Sequence, residues 1–181
     1  MEKDIKKVLL SHEEIIQVSK KLGEQLTNDY KDRHNRPILL GLLKGCVPFM
    51  SYLMNYIDLY MEIEFMDVSS YSGGIQSSGD IKIMKDINIS VTDRDIIICE
   101  DIVDTGRTLD TVIKLLKHRG AKSVEVVTLL DKPEGRVIPF VPKYIGYTIP
   151  KVFVVGFGLD YDELYRNLPY VGVLKESVYE K

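Results

Sequence analysis

The chain has 181 residues, of which 45% are hydrophobic and 28% are charged, and its formal net charge is −3. This length predicts a single domain over residues 1–181 with a substantial core, and the charge balance argues against a general nucleic-acid or membrane surface. The only two cysteines, Cys46 and Cys99, are too few for a disulfide framework or a cysteine-rich metal site. Because no apolar run has the length of a signal peptide or a membrane span, we expect a cytoplasmic protein.

The first predicted elements are a helix, a buried strand and a second helix. Ser11 and Glu14 have the spacing of a capping box, and apolar residues then recur at helical intervals, which predicts a helix over about 12–31. The continuous apolar run at 38–43 is typical of a parallel strand buried on both faces. Pro48 favours the first turn of a helix that reaches about residue 57.

The middle of the chain predicts a hairpin and then more buried strands. Residues 61–68 indicate a strand with one wetter face, and 81–87 indicate its hairpin partner. The Ser/Gly-rich segment 69–80 between them predicts a mobile loop. A helix over about 106–119 ends at Gly120. The fully apolar run at 96–99 predicts another buried strand, and the apolar-rich segments 124–130 and 152–155 predict two more.

This order of strands and helices predicts an α/β fold with a mostly parallel sheet flanked by helices. In such sheets, ligands bind beyond the carboxyl ends of the strands. Polar residues follow the predicted strands at 44–45, 100–101, 131–132 and 156–160. The sequence therefore predicts a functional site at this edge of the sheet.

The segment 96–109, IIICEDIVDTGRTL, carries the most specific signal. A buried strand delivers Glu100 and Asp101 to the sheet edge, and Asp104 follows just before the turn into a helix. Backbone N–H groups in such a turn, together with the helix N-terminus, form a phosphate cradle. The residues of this cradle are Asp104, Thr105, Gly106, Arg107 and Thr108.

Three carboxylates within five residues repel one another when they are crowded together. Two like charges 4 Å apart repel by ~4 kcal/mol near a protein surface. A divalent cation would relieve this repulsion, and Mg²⁺ prefers one or two carboxylates together with ligand oxygens. Helix capping would explain one aspartate before a helix. It does not explain why two adjacent acids and a turn with glycine and hydroxyl residues occur together.

At this point a family resemblance is clear. The segment resembles the phosphoribosyl pyrophosphate signature of type I phosphoribosyltransferases, and EDIVDTGRTL resembles the 6-oxopurine (hypoxanthine) branch. Four further segments resemble the same branch and follow the same order along the chain: LLKG at 42–45, SSY at 69–71, the Lys132 region and VFVVGFGLDYDELYRNLPYVG at 152–172. The resemblance implies a parallel-sheet core over about 36–150, a small hood from the N-terminal and C-terminal segments, and a flexible β-hairpin loop.

The resemblance also implies roles for the residues of the central segment. Glu100 and Asp101 would hold the ribose hydroxyls and orient metal-bound water, and residues 104–108 would wrap the 5′-phosphate. Asp104 would also face N7 of the purine as the general base. Magnesium would thus lie beside Glu100 and Asp101, and Asp160 would be the direct ligand of a second magnesium on the pyrophosphate side.

Further roles fall on the later segments and on the first loop. Lys132 would contact O6 of the purine, Phe153 would stack on the base and Val154 would read its edge, with Asp160 close by. Pyrophosphate would be bound by Arg166 and by the Lys44-Gly45 loop, which in the family contains a non-proline cis peptide. Ser70 and Tyr71 would open a lid over the reaction centre.

The resemblance therefore implies transfer of 5-phosphoribosyl from phosphoribosyl pyrophosphate to N9 of hypoxanthine and guanine, giving IMP or GMP and pyrophosphate. It also implies Mg²⁺ as cofactor and a homodimer or homotetramer. Three alternatives stay open: a relative that prefers xanthine or guanine, an inactive phosphoribosyl-binding scaffold, and an RNA-binding attenuation regulator of pyrimidine genes. The regulator is disfavoured because such proteins typically place an aromatic residue where Asp104 stands and need a basic face for RNA.

Overall fold

The computed structural model describes residues 1–70 and 81–180. In these residues the strands are β1 (Ile5–Leu10), β2 (Ile38–Leu43), β3 (Glu62–Ser70), β4 (Ile81–Lys85), β5 (Asp95–Val103), β6 (Ser123–Asp131), β7 (Tyr144–Thr148), β8 (Val154–Val155) and β9 (Val171–Leu174). The helices are α1 (His12–Tyr30), α2 (Cys46–Leu53), α3 (Arg107–His118) and α4 (Glu176–Tyr179). Short 3₁₀ turns occupy Glu2–Asp4, Met54–Tyr56 and Pro133–Gly135.

The central sheet has the strand order β4-β3-β2-β5-β6-β7. Strands β3, β2, β5, β6 and β7 are parallel to their neighbours, and only β4 runs antiparallel, as the hairpin partner of β3. The predicted α/β fold with a mostly parallel sheet and the predicted hairpin are confirmed. The predicted mobile loop over 69–80 falls mainly on residues 71–80, which lie outside the described residues.

The continuous apolar runs are strands buried on both faces, as predicted. In β2, Leu39 packs into the core cluster that contains α1 and α2, whereas Leu40 packs into the cluster that contains α3. In β5, Ile97 and Ile98 divide between the same two clusters. Because successive side chains of a strand point to opposite faces, helices on both faces require apolar residues at every position.

The predicted helices are confirmed with small changes at their ends. Ser11 and Glu14 form the expected capping box, in which the Ser11 hydroxyl accepts from the Glu14 N–H and the Glu14 carboxylate accepts from the Ser11 N–H. Helix α2 begins at Cys46, two residues before Pro48, and its continuation is a 3₁₀ turn. Gly120 follows α3 with a φ of +86°, a left-handed conformation that suits glycine.

The predicted buried strand at 152–155 is wrong in both length and location. Only Val154 and Val155 form a strand, and this strand pairs with β9 outside the central sheet. The parallel partner of β6 is instead β7, which sequence reasoning missed. As an edge strand, β7 is only partly buried and has Gly146 at its centre, so it lacks the apolar run that marks the other parallel strands.

A second, three-stranded sheet with the order β1-β9-β8 is built from the two ends of the chain. Ile5 of β1 pairs with Leu174 of β9, and Val154 of β8 pairs with Val173 of β9, both antiparallel. This sheet confirms the hood that the family resemblance implied. No helix in the described part of the chain combines the length and the apolar character that crossing a bilayer requires.

Candidate active site

Two adjacent carboxylates lie near the carboxyl end of β5, at the edge of the sheet where ligands bind. Glu100 and Asp101 are both half-buried. Burial raises the pKa of Asp101 to about 6, although the Ile102 N–H, 2.8 Å from Asp101 Oδ1, acts in the opposite direction. Burial and the Asp101 charge together raise the pKa of Glu100 well above its usual value. A cation placed here would favour the charged form of both carboxylates and so lower both pKa values.

The turn after β5 forms a cradle of backbone N–H groups. Gly106 precedes α3 with a φ of +81°, and the N–H of Asp110 is the first in the helix to reach a carbonyl oxygen of the turn, that of Gly106. The earlier N–H groups of a helix have no partner within the helix and point towards an incoming ligand. A cavity of about 130 Å³ lies against this turn, and its polar lining comes from Glu100, Asp104, Thr105, Gly106 and Thr108.

The cradle is fixed by the segment that follows β6. The N–H groups of Val137 and Ile138 both donate to the carbonyl oxygen of Thr105, at 3.0 and 3.1 Å. A β-carbon on Gly106 would lie 3.1 Å from the Ile138 carbonyl oxygen and would also require a strained left-handed backbone. Glycine is therefore needed for both the backbone conformation and the packing of this turn.

Asp104 forms an ion pair with Lys132, which lies just after β6. Lys132 is held in place by its own backbone, because its N–H donates to the Val103 carbonyl oxygen at 3.0 Å. Gly135 closes over the same carboxylate, since a β-carbon there would lie 1.8 Å from Asp104 Oδ1. The two residues that were predicted to contact N7 and O6 of the purine are thus neighbours.

Arg136 ties the base of the cradle together, and sequence reasoning missed it. Its guanidinium donates to the carbonyl oxygens of Val103 and Asp104 and pairs with Asp131. The side chains of Arg136 and Asp131 are only 11% and 8% exposed. No local pattern marks Arg136, because its partners become visible only when the end of β6 is placed beside the end of β5.

The loop after β2 reaches the same carboxylates. The Leu43–Lys44 peptide bond is cis, which places a non-proline cis peptide at the loop where the resemblance implied one. A β-carbon on Gly45 would lie 1.8 Å from Asp101 Oδ2, and one on Gly158 would lie 2.0 Å from the Gly45 carbonyl oxygen. Three chain segments therefore meet here with no room for a side chain between them.

The loop from β8 to β9 brings charged residues to the other side of Asp101. Arg166 Nη2 lies 2.9 Å from Asp160 Oδ1 and 3.2 Å from Glu163 Oε1, and Arg166 Nη1 donates to the Gly158 carbonyl oxygen at 2.7 Å. Lys44 Nζ lies 2.9 Å from Glu163 Oε2. The Arg166 charge opposes the increase in the pKa of Asp101, so the two residues share one electrostatic environment.

Phe153 and Val154 lie in the hood. The Phe153 ring is 38% exposed and stacks on Tyr179, with 4.9 Å between ring centroids and 24° between planes, while Tyr161 packs edge-on against it. Val154 is buried in β8. An exposed aromatic ring backed by another ring provides a flat apolar surface of the kind that a planar base can stack on.

Comparison with known proteins agrees with this geometry. Residues 7–162 match a family model described as "Phosphoribosyl transferase domain". The chain is 58% identical to hypoxanthine-guanine phosphoribosyltransferase of Lactococcus lactis subsp. lactis, across 100% of this chain and 97% of that protein. A crystal structure of a hypoxanthine phosphoribosyltransferase from Staphylococcus aureus is 50% identical, with a TM-score of 0.94 over 100% of this chain and 97% of that one.

The chain belongs to the hypoxanthine phosphoribosyltransferase family.

A member of this family from Trypanosoma cruzi, a point mutant complexed with the product IMP, matches with a TM-score of 0.91 at 35% identity, over 98% of this chain and 95% of that one. Family membership agrees with the carboxylates, cradle and glycine contacts assembled at one sheet edge. Of the two residues expected to form a lid, Ser70 is the last residue of β3 and Tyr71 lies outside the described residues. Glu163, which joins Lys44 to Arg166, was also missed, although its spacing of three residues from Arg166 could have suggested the pair.

The family resemblance implied a magnesium ion, and the donor set of the described residues bears on that expectation. Over residues 1–70 and 81–180 no group of three or more His, Cys, Asp or Glu side chains is arranged to hold a metal. Asp160 is engaged by Arg166 rather than grouped with Glu100 and Asp101. Magnesium commonly binds only one or two carboxylates and completes its shell with water and substrate oxygens. Glu100 and Asp101 suit it, because burial raises the pKa values of both groups and a cation would stabilise their charged forms.

Proposed function

We propose that this chain moves the 5-phosphoribosyl group of phosphoribosyl pyrophosphate onto N9 of hypoxanthine or guanine, releasing pyrophosphate and IMP or GMP. The observation that carries the proposal is the junction of β5 and α3. There, two carboxylates destabilised by burial stand beside an amide-lined cradle, with the Asp104–Lys132 pair at its edge. A sugar phosphate would bind to the cradle and a cation to the two carboxylates. A base that has both a hydrogen-bond donor and an acceptor would bind to the Asp104–Lys132 pair.

The cradle would bind the 5′-phosphate through the backbone N–H groups of residues 105–109 and the hydroxyls of Thr105 and Thr108. Glu100 and Asp101 would accept hydrogen bonds from the ribose hydroxyls, which orients the sugar before reaction. Holding the two reactants in one geometry can supply roughly 7–11 kcal/mol of the barrier. Positioning is therefore the first contribution of these residues.

Asp104 and Lys132 would act on the base. Asp104 would take the proton from N7 while the N9 lone pair forms a bond to C1′ and the C1′–oxygen bond to pyrophosphate breaks, with its electron pair leaving on pyrophosphate. Lys132 would donate a hydrogen bond to O6 of the purine. An aminopurine such as adenine has no acceptor oxygen at this position, so it would leave a buried ammonium unpaired. This role requires the base to replace the Asp104–Lys132 ion pair by one hydrogen bond to each partner.

The leaving pyrophosphate would be bound by the loop after β2 and by Arg166. Gly45 packs against Asp101, and Arg166 offers a bidentate guanidinium whose buried Nε has no partner among the described residues. Phe153 would stack on the purine, and Val154 would read its edge through the backbone.

We also propose Mg²⁺ as the cofactor, with one ion beside Glu100 and Asp101 and a second ion bound by Asp160 on the pyrophosphate side, each completed by water and ligand oxygens. When bound, the ions would neutralise charge on the pyrophosphate group as that charge develops. The raised pKa values of Glu100 and Asp101 support this assignment, because a nearby cation favours the charged form of both groups.

We further propose that residues 1–181 act as one domain, in the cytoplasm, within a homodimer or homotetramer. Cys46 and Cys99 are both buried free thiols, which suits a reducing compartment. Exposed apolar side chains on one edge of the central sheet, those of Ile63, Ile83 and Met84, offer a surface for a second copy.

Steady-state kinetics test the proposed function directly. Phosphoribosyl pyrophosphate and Mg²⁺ would be supplied with hypoxanthine, guanine, xanthine or adenine in separate assays. We expect turnover with the first two bases, loss of turnover on chelation of Mg²⁺, and a kcat/KM for adenine lower by about 10⁴-fold or more, as for a site whose donor is left unpaired. No turnover with any base, together with a gel shift on RNA, would sink the proposal and favour the regulator.

A further inference from the structure

Glu163 joins the two cations that face the proposed pyrophosphate site. Its Oε2 lies 2.9 Å from Lys44 Nζ, and its Oε1 lies 3.2 Å from Arg166 Nη2. The two cations come from distant parts of the chain, the loop after β2 and the loop between β8 and β9. One carboxylate therefore bridges groups that would otherwise repel each other.

The Glu163 backbone is built to hold this position. Its N–H donates to Asp160 Oδ2 at 3.0 Å, and Asp162 and Glu163 have left-handed φ angles of +53° and +61°. Non-glycine residues in this conformation cost roughly 1–3 kcal/mol each and concentrate at functional sites. Leu164 and Tyr161 exchange backbone hydrogen bonds across this turn, which closes it.

The bridge itself is open to solvent, so it is easily exchanged. The side chains of Lys44 and Glu163 are 62% and 63% exposed. Hydrogen bonds from Lys44 and Arg166 lower the pKa of Glu163, so the carboxylate is charged at neutral pH. Ion pairs in this setting contribute little to stability, because solvent screens them and ordering two long side chains has an entropic cost.

We propose that the Glu163 carboxylate is a resident counter-ion of the pyrophosphate site, which occupies Lys44 and Arg166 until the pyrophosphate group of the substrate displaces it. The proposal rests on the proposed function, since it takes these two cations to be the pyrophosphate ligands. Glu163 keeps Lys44 near its working position when no ligand is bound, whereas Arg166 is also held by Asp160 and by the Gly158 carbonyl oxygen. Glu163 also competes with pyrophosphate for both cations, so it weakens binding and speeds release of the product.

The test is Glu163→Gln, which keeps the size of the side chain and removes its charge. Binding of pyrophosphate in the presence of Mg²⁺ is measured by isothermal titration calorimetry, and KM for phosphoribosyl pyrophosphate by steady-state kinetics. We expect the Kd for pyrophosphate and the KM to fall by about two- to tenfold, since one or two exposed ion pairs no longer have to be broken. The difference from the unchanged protein should shrink as salt is added, because screening weakens the competition.

Glu176→Gln is the matched control. Glu176 is also an exposed glutamate, 2.9 Å from a lysine nitrogen, Lys6 Nζ, but it lies in the hood. It should leave Kd and KM unchanged, which separates the position of the charge from the net charge of the chain. Equal or weaker pyrophosphate binding by Glu163→Gln would overturn the counter-ion alone. A wild-type chain that binds no pyrophosphate would overturn the proposed function and the counter-ion together.

Discussion

The two sides of the site are built in different ways. The phosphate side, residues 100–108 with 131–138, consists of buried strand ends tied by backbone hydrogen bonds and the buried Arg136–Asp131 pair. The pyrophosphate side, residues 44–45 with 158–166, consists of loops whose charged side chains meet in largely exposed ion pairs. Burial thus distinguishes the two sides more than residue type does.

This difference suggests a division of labour. Groups that must stay fixed while bonds change are best held by contacts that water cannot replace, because the interior strengthens electrostatic interactions and suppresses motion. Groups that bind and then release a product are better held by contacts of low net energy. The first description fits the Arg136–Asp131 pair and the backbone of the cradle, and the second fits Lys44 and Arg166 in their pairs with Glu163.

The largest expected effect is the loss of turnover in Asp104→Asn. The amide cannot accept the N7 proton, and general base catalysis typically contributes about 10²–10⁴-fold, so kcat should fall by that factor while the fold is retained. Turnover with hypoxanthine and the thermal midpoint would be measured together. Asp110→Asn, which removes the charge of a partly exposed aspartate paired with Lys114 in α3, serves as the control. Near-normal turnover of Asp104→Asn would show that another group takes the proton.

The next effect compares one arginine from each side. Arg136→Met leaves Asp131 buried without its partner, which should lower the free energy of unfolding by about 3–5 kcal/mol. Arg166→Met removes pairs that are partly exposed and should cost about 1 kcal/mol or less of stability, but it should weaken pyrophosphate binding. Urea denaturation of both variants measures this difference. Equal losses of stability would contradict the contrast between the two sides.

A smaller effect is expected in the pH dependence of stability. The pKa of Asp101 is about 6 in the folded chain, against ~3.9 for an unfolded aspartate. Between these values the folded chain keeps a proton on Asp101 that the unfolded chain has lost, so the contribution of Asp101 to stability falls as pH rises from about 4 to about 6 and then levels off. Asp101→Asn should therefore be more stable than the wild type by about 2–3 kcal/mol near neutral pH, and equal to it below about pH 4.

Asp86→Asn provides a control of opposite sign for this measurement. A hydrogen bond from Arg119 lowers the pKa of Asp86, so its charged form stabilises the fold above the usual pKa of aspartate. Removing that charge should lower stability at neutral pH, whereas removing the charge of Asp101 should raise it. Denaturation curves at several pH values measure both. A wild-type stability that does not change between pH 4 and 6 would argue against a strained carboxylate at the end of β5.

The parts of the fold that sequence predicted are those specified by local chemistry. The capping box of Ser11 and Glu14 and the double-sided burial of β2, β5 and β6 each leave a pattern within a few neighbouring residues. The junction of β5 and α3 was also readable, because its acids, its glycine and its hydroxyls are consecutive. The roles of individual site residues came from the family resemblance, and they remain predictions.

The parts that sequence missed depend on pairing between distant residues. Strands β1 and β9 stabilise each other although more than 150 residues separate them, and neither is long or regular enough to stand out. The predicted strand at 152–155 was too long because Val152 and Phe153 belong to the same apolar run as β8 but are not part of the ladder between β8 and β9. Arg136 finds its partners only after folding, so no local pattern marks it. Glu163 has one partner within the same loop, Arg166, but its pairing with the distant Lys44 leaves no local pattern.

The close packing of Gly45 between the Asp101 side chain and Gly158 has a consequence for redesign of this protein. Because Gly45 and Gly158 meet through backbone alone, the width of the gap between the phosphate and pyrophosphate sides is set by main-chain thickness. Substitution at either glycine can only push the segments apart, so a donor with a bulkier leaving group cannot be accommodated there by trimming side chains. Adaptation to such a donor would have to come from lengthening the loop between β8 and β9.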